Sequence, residues 1–242
     1  MPVIGCQCRV CLSTDFRDKR LRTAALVSVN GVNLAIDCGP DFRQQMLRTG
    51  IRSLDGILVT HEHNDHVIGL DDVRPFNFLQ RRDMPVFATA AVAVELKQRF
   101  AYAFDDNPYP GAPMIKLHTI TKDKPFEAAG VPVQPVEVLH GKLPVLGFRI
   151  GKFAYLTDVR YVSPEELSKL AGIDTLVLNA LHHTPHSTHL NLEQALALIH
   201  QIGPRRALLT HMSHHMGLHA EVSGQLPVGV ELAYDGLVIE VS

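Results

Sequence analysis

The stretch His61-Glu62-His63-Asn64-Asp65-His66 packs three imidazoles and two carboxylates into six residues. Imidazole is the commonest metal ligand and carboxylate suits divalent ions, so this spacing reads first as metal-binding chemistry. The helical zinc signature HExxH is excluded, because it would need His at position 65, where Asp stands. In an extended segment, residues two apart point the same way, so His61 and His63 reach one ion together. A turn after them aims Asp65 and His66 at a second ion. A solvated polar loop would need no such set.

Two further clusters share this character. The 242 residues include 14 His, and eleven of these fall in the windows 61–66, 182–189 and 211–219. Cys6, Cys8 and Cys11 lie within six positions. In a reducing compartment three such thiols are metal thiolates rather than disulfides, and they are one short of the four ligands of a closed structural zinc site. Cys38, in an apolar stretch, reads as a buried hydrophobe.

Composition narrows the partners. With 23 basic and 25 acidic side chains the formal charge is −2, so a nucleic-acid polymer held by bulk charge is not expected. Hydrophobic residues make up 46% and charged residues 20%, the balance of an ordinary globular protein. No apolar run approaches the roughly 18–20 residues needed to span a bilayer, and the N-terminus has no signal-peptide pattern. A cytoplasmic protein with no membrane partner is the expectation.

Strand and helix signals alternate along the chain and place these residues. Residues 24–29 and 33–37 flank Asn30-Gly31 as a hairpin, and Gly56–Thr60 is a short buried strand stopping at His61. A strand at 85–88 precedes a helix over 90–100. Strands are expected at 131–139, 146–150 and 153–157. Ser163-Pro164-Glu165-Glu166 combines an N-cap, a Pro at N1 and a capping-box Glu, starting a helix that ends near Gly172. A strand at 175–179, a helix opened by Asn191 with Gln194, and a strand at 206–210 follow. Two last strands are expected at 230–234 and 237–241 around Asp235-Gly236. His61, His140, Asp158, the 182–189 loop and His211 each follow a strand, where α/β folds build their sites.

This pattern resembles the metallo-β-lactamase superfamily of binuclear hydrolases. Beyond the H-x-H-x-D-H motif, Val138-Leu139-His140-Gly141 matches a third His after a strand. Tyr155-Leu156-Thr157-Asp158 matches a bridging Asp, and Leu209-Thr210-His211 a final His in a TH step. Asp37, ending an early strand, matches a buried Asp that supports the ligands. Order and spacing agree from about Cys6 to the C-terminus.

The resemblance implies a single α/β domain over 1–242, built as a four-layer αββα sandwich. It implies that His61, His63 and His140 bind one ion, that Asp65, His66 and His211 bind the other, and that Asp158 bridges them. The ions would be Zn or Mn, since seven imidazole and carboxylate ligands do not choose between such metals. Ions about 3.5–4 Å apart lower the pKa of a shared water and clamp the oxygens of an in-line displacement. The reaction implied is hydrolysis by a metal-bridging hydroxide.

Within the superfamily, Pro2-Val3-Ile4-Gly5-Cys6 and the cysteine trio resemble the PhnP-type phosphodiesterases. This resemblance implies one structural Zn held by Cys6, Cys8, Cys11 and His214. It also makes His189 the acid for the leaving group, with Asp65 its catalytic companion, and leaves His186 as a candidate for substrate contact. His182 and His183 are open, and His215 and His219 read as surface residues. That group begins with a strand and a Gly-rich turn before the VPxxGC segment, and the expectation here is a chain lacking both.

The expected substrate is a small or cyclic phosphodiester, such as a sugar or nucleotide cyclic phosphate, and by analogy the chain is a homodimer. The alternatives are a thioester or lactam hydrolase, a tRNA-end endonuclease of the same fold, or a protein that binds metal or a cofactor without turnover.

Overall fold

Both residues of the Asn30-Gly31 turn take positive φ, 50° and 82°, so β1 (Ala25–Val29) and β2 (Val32–Ile36) close as a two-residue hairpin. The structure, a computed structural model, describes residues 1–241 and divides into two compact units, residues 22–133 and residues 1–21 with 134 onward.

In the first unit, β1 and β2 continue into β3 (Gly56–Leu58), β4 (Met84–Ala88) and β5 (Ile115–Thr119). The order is sequential, and the pairs from β2 to β5 are parallel. Ala35, Ile57, Val59, Val86 and Ala88 are buried in one apolar cluster with Phe42, Val92 and Leu96. Phe42 lies on a helix at Phe42–Thr49, and Val92 and Leu96 on one at Ala90–Arg99. A strand at Phe126–Ala128 pairs antiparallel with the first residues of the long strand Val131–His140.

From Gln134 that long strand belongs to the second unit. It pairs antiparallel with Leu143–Ile150, which pairs antiparallel with Phe153–Leu156. Thr175–Asn179, Arg206–Thr210 and Val230–Leu232 follow in parallel. Their inward residues, among them Val136, Leu156, Leu178 and Leu209, share a core with Ala195 and Ile199 of the helix Leu192–Ile202. That helix opens with the expected reciprocal box, Asn191 and Gln194 each bonding the other's backbone N–H, and stops at Gly203 with φ 71°.

Three expectations fail locally. The helix capped by Ser163 covers only Pro164–Ser168 and does not reach Gly172. Beyond it Lys169 and Leu170 bond three residues back, to Glu166 and Leu167, the tight winding that ends helices. Glu166 does not close the capping box either: its Oε2 accepts the Glu137 N–H at 2.7 Å, and Lys169 Nζ donates to Oε1 at 2.8 Å. Nor is there a strand at 237–241, and the one before it shrinks to Val230–Leu232. Val238 there is 86% exposed, and Leu237 and Ile239 are only partly buried.

Candidate metal centres

In the first unit the chain leaves its third strand through Val59 and Thr60 into a buried His61, then makes a short helix, Asn64–Val67. His61 Nε2 and His63 Nδ1 lie 3.0 Å apart, as alternation in an extended segment requires. His66 Nε2 is 3.8 Å from Asp65 Oδ2, so the turn brings the second pair together as expected.

Asp37 orients this motif. It is fully buried, and burial pushes its carboxyl up in pKa against the opposing pull of His66. Its oxygens accept the Thr60 N–H and the Thr60 hydroxyl, each at 2.9 Å, and the His66 Nδ1–H at 2.7 Å. Since the Thr60 hydroxyl is spent on Asp37, its oxygen accepts from His61 Nδ1 at 2.9 Å. Both rings therefore carry their hydrogen on Nδ1 and turn a lone pair outward on Nε2, the state a metal ligand needs. Close backbone approach holds the turn. A Cβ on Gly39 would stand 2.1 Å from the Asp65 carbonyl oxygen.

Two arginines also brace the loop, and sequence reasoning had missed both. Arg99 donates to the Glu62 carbonyl and, at 3.0 Å, to Asn64 Oδ1. Arg22 Nη1 lies 3.4 Å from Asp65 Oδ2. Neither carries a sequence signal, because each comes from elsewhere in the chain.

In the second unit, His140 ends its strand and donates Nδ1–H to the Thr188 carbonyl at 2.9 Å. Asp158 follows the strand Phe153–Leu156 by two residues. It accepts the Thr157 hydroxyl at 2.7 Å, and His189 Nε2 lies 3.0 Å from its Oδ1. His211 Nε2 is 3.4 Å from Asp158 Oδ2. Ligand atoms of His140, Asp158 and His189 lie within 4.8 Å of one another. The buried Asn179 fixes the turn beyond Asp158, accepting the Val159 N–H at 2.7 Å, another partner invisible in sequence. His186 sits beside His189, and burial, then His189 itself, lowers its pKa. His183 donates to the Met216 carbonyl at 2.7 Å, and His182 pairs with Thr184.

Asp37, Asp158 and His211 all take positive φ, 65°, 56° and 55°. Left-handed backbone is costly for residues with a Cβ and collects at functional sites.

The cysteine trio closes on His214. The Sγ atoms of Cys6, Cys8 and Cys11 stand 3.3, 3.4 and 3.4 Å from His214 Nδ1. One ring nitrogen cannot hydrogen-bond three thiols at once, and the convergence matches a shared ion. A tetrahedral zinc with Zn–S about 2.3 Å and Zn–N about 2.0 Å sets sulfur and nitrogen about 3.5 Å apart. The Cys11 N–H helps bring Cys8 down to about 6, whereas burial raises Cys11. Sulfur and nitrogen donors fit zinc. The all-imidazole and carboxylate sets fit Zn or Mn equally well.

Of two residues read as bland, one keeps that reading and one does not. Cys38 is buried as expected. His219, expected on the surface, is only 6% exposed, with Arg20 Nη2 donating to its Nδ1 at 2.8 Å and its backbone N–H bonding Asp18.

Known proteins share this build. A β-lactamase superfamily domain model matches residues 32–212. A crystal structure of a new diphosphatase from the PhnP family superposes with a TM-score of 0.91 at 38% identity, covering 98% of this chain and 90% of that one. The chain therefore belongs to the metallo-β-lactamase superfamily of hydrolases, and within it to the PhnP family. Its mixed α/β architecture with two sheets is the metallo-β-lactamase fold expected from the sequence.

Ribonuclease Z of Methanosarcina acetivorans is 25% identical over 256 residues, 79% of this chain and 81% of its own. An octanoyltransferase of Porphyromonas gingivalis is 44% identical over 239 residues, 98% of this chain. The chain spans about half, 48%, of that relative's length. Among the described residues no helix is long and apolar enough to cross a membrane.

Proposed function

We propose that this chain is a phosphodiesterase that hydrolyses small or cyclic phosphodiesters. His61, His63 and His140 would hold one divalent ion and Asp65, His66 and His211 a second, with Asp158 able to serve both. Such ions, when bound, supply an activated water and a clamp for phosphoryl oxygens. Asp37 and Thr60 aim the nitrogens of His66 and His61, and Asp65 steadies the attacking water. A hydroxide oxygen attacks phosphorus, the P–O bond to the leaving group breaks, and His189, doubly protonated, would give its Nε2 proton to the departing alkoxide and become the neutral ring. The observation that carries the reading is His189 Nε2 beside Asp158 at 3.0 Å, an imidazole N–H placed among candidate ligands. Likeness over nearly the whole chain to a PhnP-family diphosphatase supports it.

Cys6, Cys8, Cys11 and His214 would hold a structural zinc, tying the N-terminal loop to the segment after His211. Free thiols fit a reducing, cytoplasmic setting. A homodimer remains part of the proposal by analogy.

The test is hydrolysis of a bis-aryl phosphate, a cyclic nucleotide and a diphosphate ester by zinc- or manganese-loaded protein. Turnover of any of the three supports the reading, and inertness toward all three sinks it. A second reading draws on the octanoyltransferase relative: hydrolysis of an acyl thioester at the same site. Octanoyl thioester in the same assay separates the two. A tRNA substrate, favoured by likeness to ribonuclease Z, is opposed by the net charge of −2.

A further inference from the structure

Two guanidinium groups reach the turn that carries His61, His63, Asp65 and His66, and they are used differently. Arg99 donates to the Glu62 carbonyl, to Asn64 Oδ1 at 3.0 Å and to Glu95 Oε2 at 3.2 Å, so its fork is occupied by protein. Arg22 makes a single side-chain contact, Nη1 to Asp65 Oδ2 at a long 3.4 Å, and its side chain is 42% exposed. Arginines that serve only as ion-pair partners here close the fork on both carboxylate oxygens. Arg205 does so on Asp174 at 2.8 and 3.0 Å, and Arg206 on Glu231 at 2.8 and 2.9 Å. A guanidinium carries five N–H donors in one plane, so most of those on Arg22 have no partner among the described residues.

The backbone beneath this side chain is fixed. The Arg22 N–H donates to Asp41 Oδ2 at 2.8 Å, and its carbonyl accepts from Gln45 Nε2 at 2.7 Å. Asp41 caps the helix Phe42–Thr49, and Gln45 lies on it. The residues just before that helix also grip the metal-ligand turn: the Cys38 N–H donates to the His66 carbonyl at 2.8 Å, and the Gly69 N–H to the Cys38 carbonyl at 2.8 Å. A Cβ on Gly39, which would collide with the Asp65 carbonyl, would also stand 3.5 Å from the Arg22 Cβ. One scaffold thus sets Arg22 beside Asp65, whose Oδ2 is 3.8 Å from His66 Nε2 on its other side.

We propose that Arg22 is a substrate-binding residue whose guanidinium takes an anionic phosphoryl oxygen beside Asp65. The fixed fork matches phosphoryl geometry, and the charge never titrates away at physiological pH. The substrate class rests on the phosphodiesterase reading, whereas the availability of the fork rests on geometry alone.

Arg22→Gln removes the charge and keeps the backbone bonds to Asp41 and Gln45. Arg22→Lys keeps the charge and removes the fork. Binding to the zinc-loaded protein is measured by calorimetry with two probes, inorganic phosphate and α,β-methylene-ADP, alongside elemental analysis of ion content. Arg22→Gln should weaken binding about tenfold or more, the scale of a charge-assisted hydrogen bond, with ion content unchanged and Arg22→Lys in between. Loss on both probes places the contact on the phosphoryl group held at the ligands, and loss on α,β-methylene-ADP alone places it on a neighbouring one. On a phosphoester that is turned over, the loss should fall in KM rather than kcat.

Unchanged binding of both probes in Arg22→Gln would overturn the proposal, as would a parent protein that binds neither. A fall in ion content in Arg22→Gln would also overturn it, because Arg22 would then only prop Asp65. Arg22-dependent phosphate binding by a protein inert to every phosphoester would uphold the contact while removing the function proposed above. Phosphodiester turnover indifferent to Arg22→Gln would do the reverse.

Discussion

Around Cys6, Cys8, Cys11 and His214 every donor points at one spot, with three sulfurs within 3.4 Å of one nitrogen. Around Asp158 and around Asp37 the donors are spread, and each ring is held from behind by a threonine or a carboxylate. The first arrangement would spend all four ligands on one ion, as a structural site does. The second fixes the nitrogen that faces away from the candidate ligands and turns the other toward them, the way outer partners orient metal ligands. Similar residue types thus serve different ends according to what stands behind them.

The comparison can be broken most directly at Asp158. Asp158→Ala should lower kcat/KM on an activated phosphodiester by at least about 10²–10³-fold, the scale of losing one preorganised transition-state contact. Elemental analysis should show fewer ions while the cysteine zinc stays. If both ion content and activity survive, the spread cluster is not a metal centre. Asp37→Asn probes the support alone, and metal titration should show affinity about 10–100-fold weaker, typical of removing a ligand's partner.

Cys11→Ser sharpens the other side. It should release one zinc and lower Tm by several degrees, since each kcal/mol lost moves Tm about 2–4 °C at this chain length. Activity well below the melting transition should change little, and a collapse there comparable to that of Asp158→Ala would erase the distinction between the sites.

The smallest effect is at His219, which belongs to neither site. Burial, then the neighbouring Arg20, lowers its pKa from 6.5. The unfolded chain therefore binds the proton more readily, and stability falls as pH drops below 6.5 toward the folded value. His219→Gln should flatten that part of a chemical-denaturation pH series, and an unchanged slope would show that His219 contributes nothing to it.

Much of this was legible in the chain. Asn30-Gly31 turns because both residues tolerate left-handed backbone, and Asn191 with Gln194 opens a helix through bonds three residues apart. His61 and His63 converge because alternation is a property of extended backbone. Glu166 was misread because the Glu137 N–H and the Lys169 ammonium compete for its carboxylate. His219 was misread because Asp18 and Arg20, some 200 residues earlier, supply its pocket.

By itself, then, the sequence determined which residues could hold metal and which strand ends present them. These depend on residue type and on periodicities a few residues long. Only tertiary structure decided which nitrogen of each histidine is held: Asp37 serves His66 from 29 residues away, and Thr188 serves His140 from 48. A hydrogen bond between distant segments leaves no trace in spacing, because it depends on how far apart the folded backbones come to rest rather than on their separation along the chain.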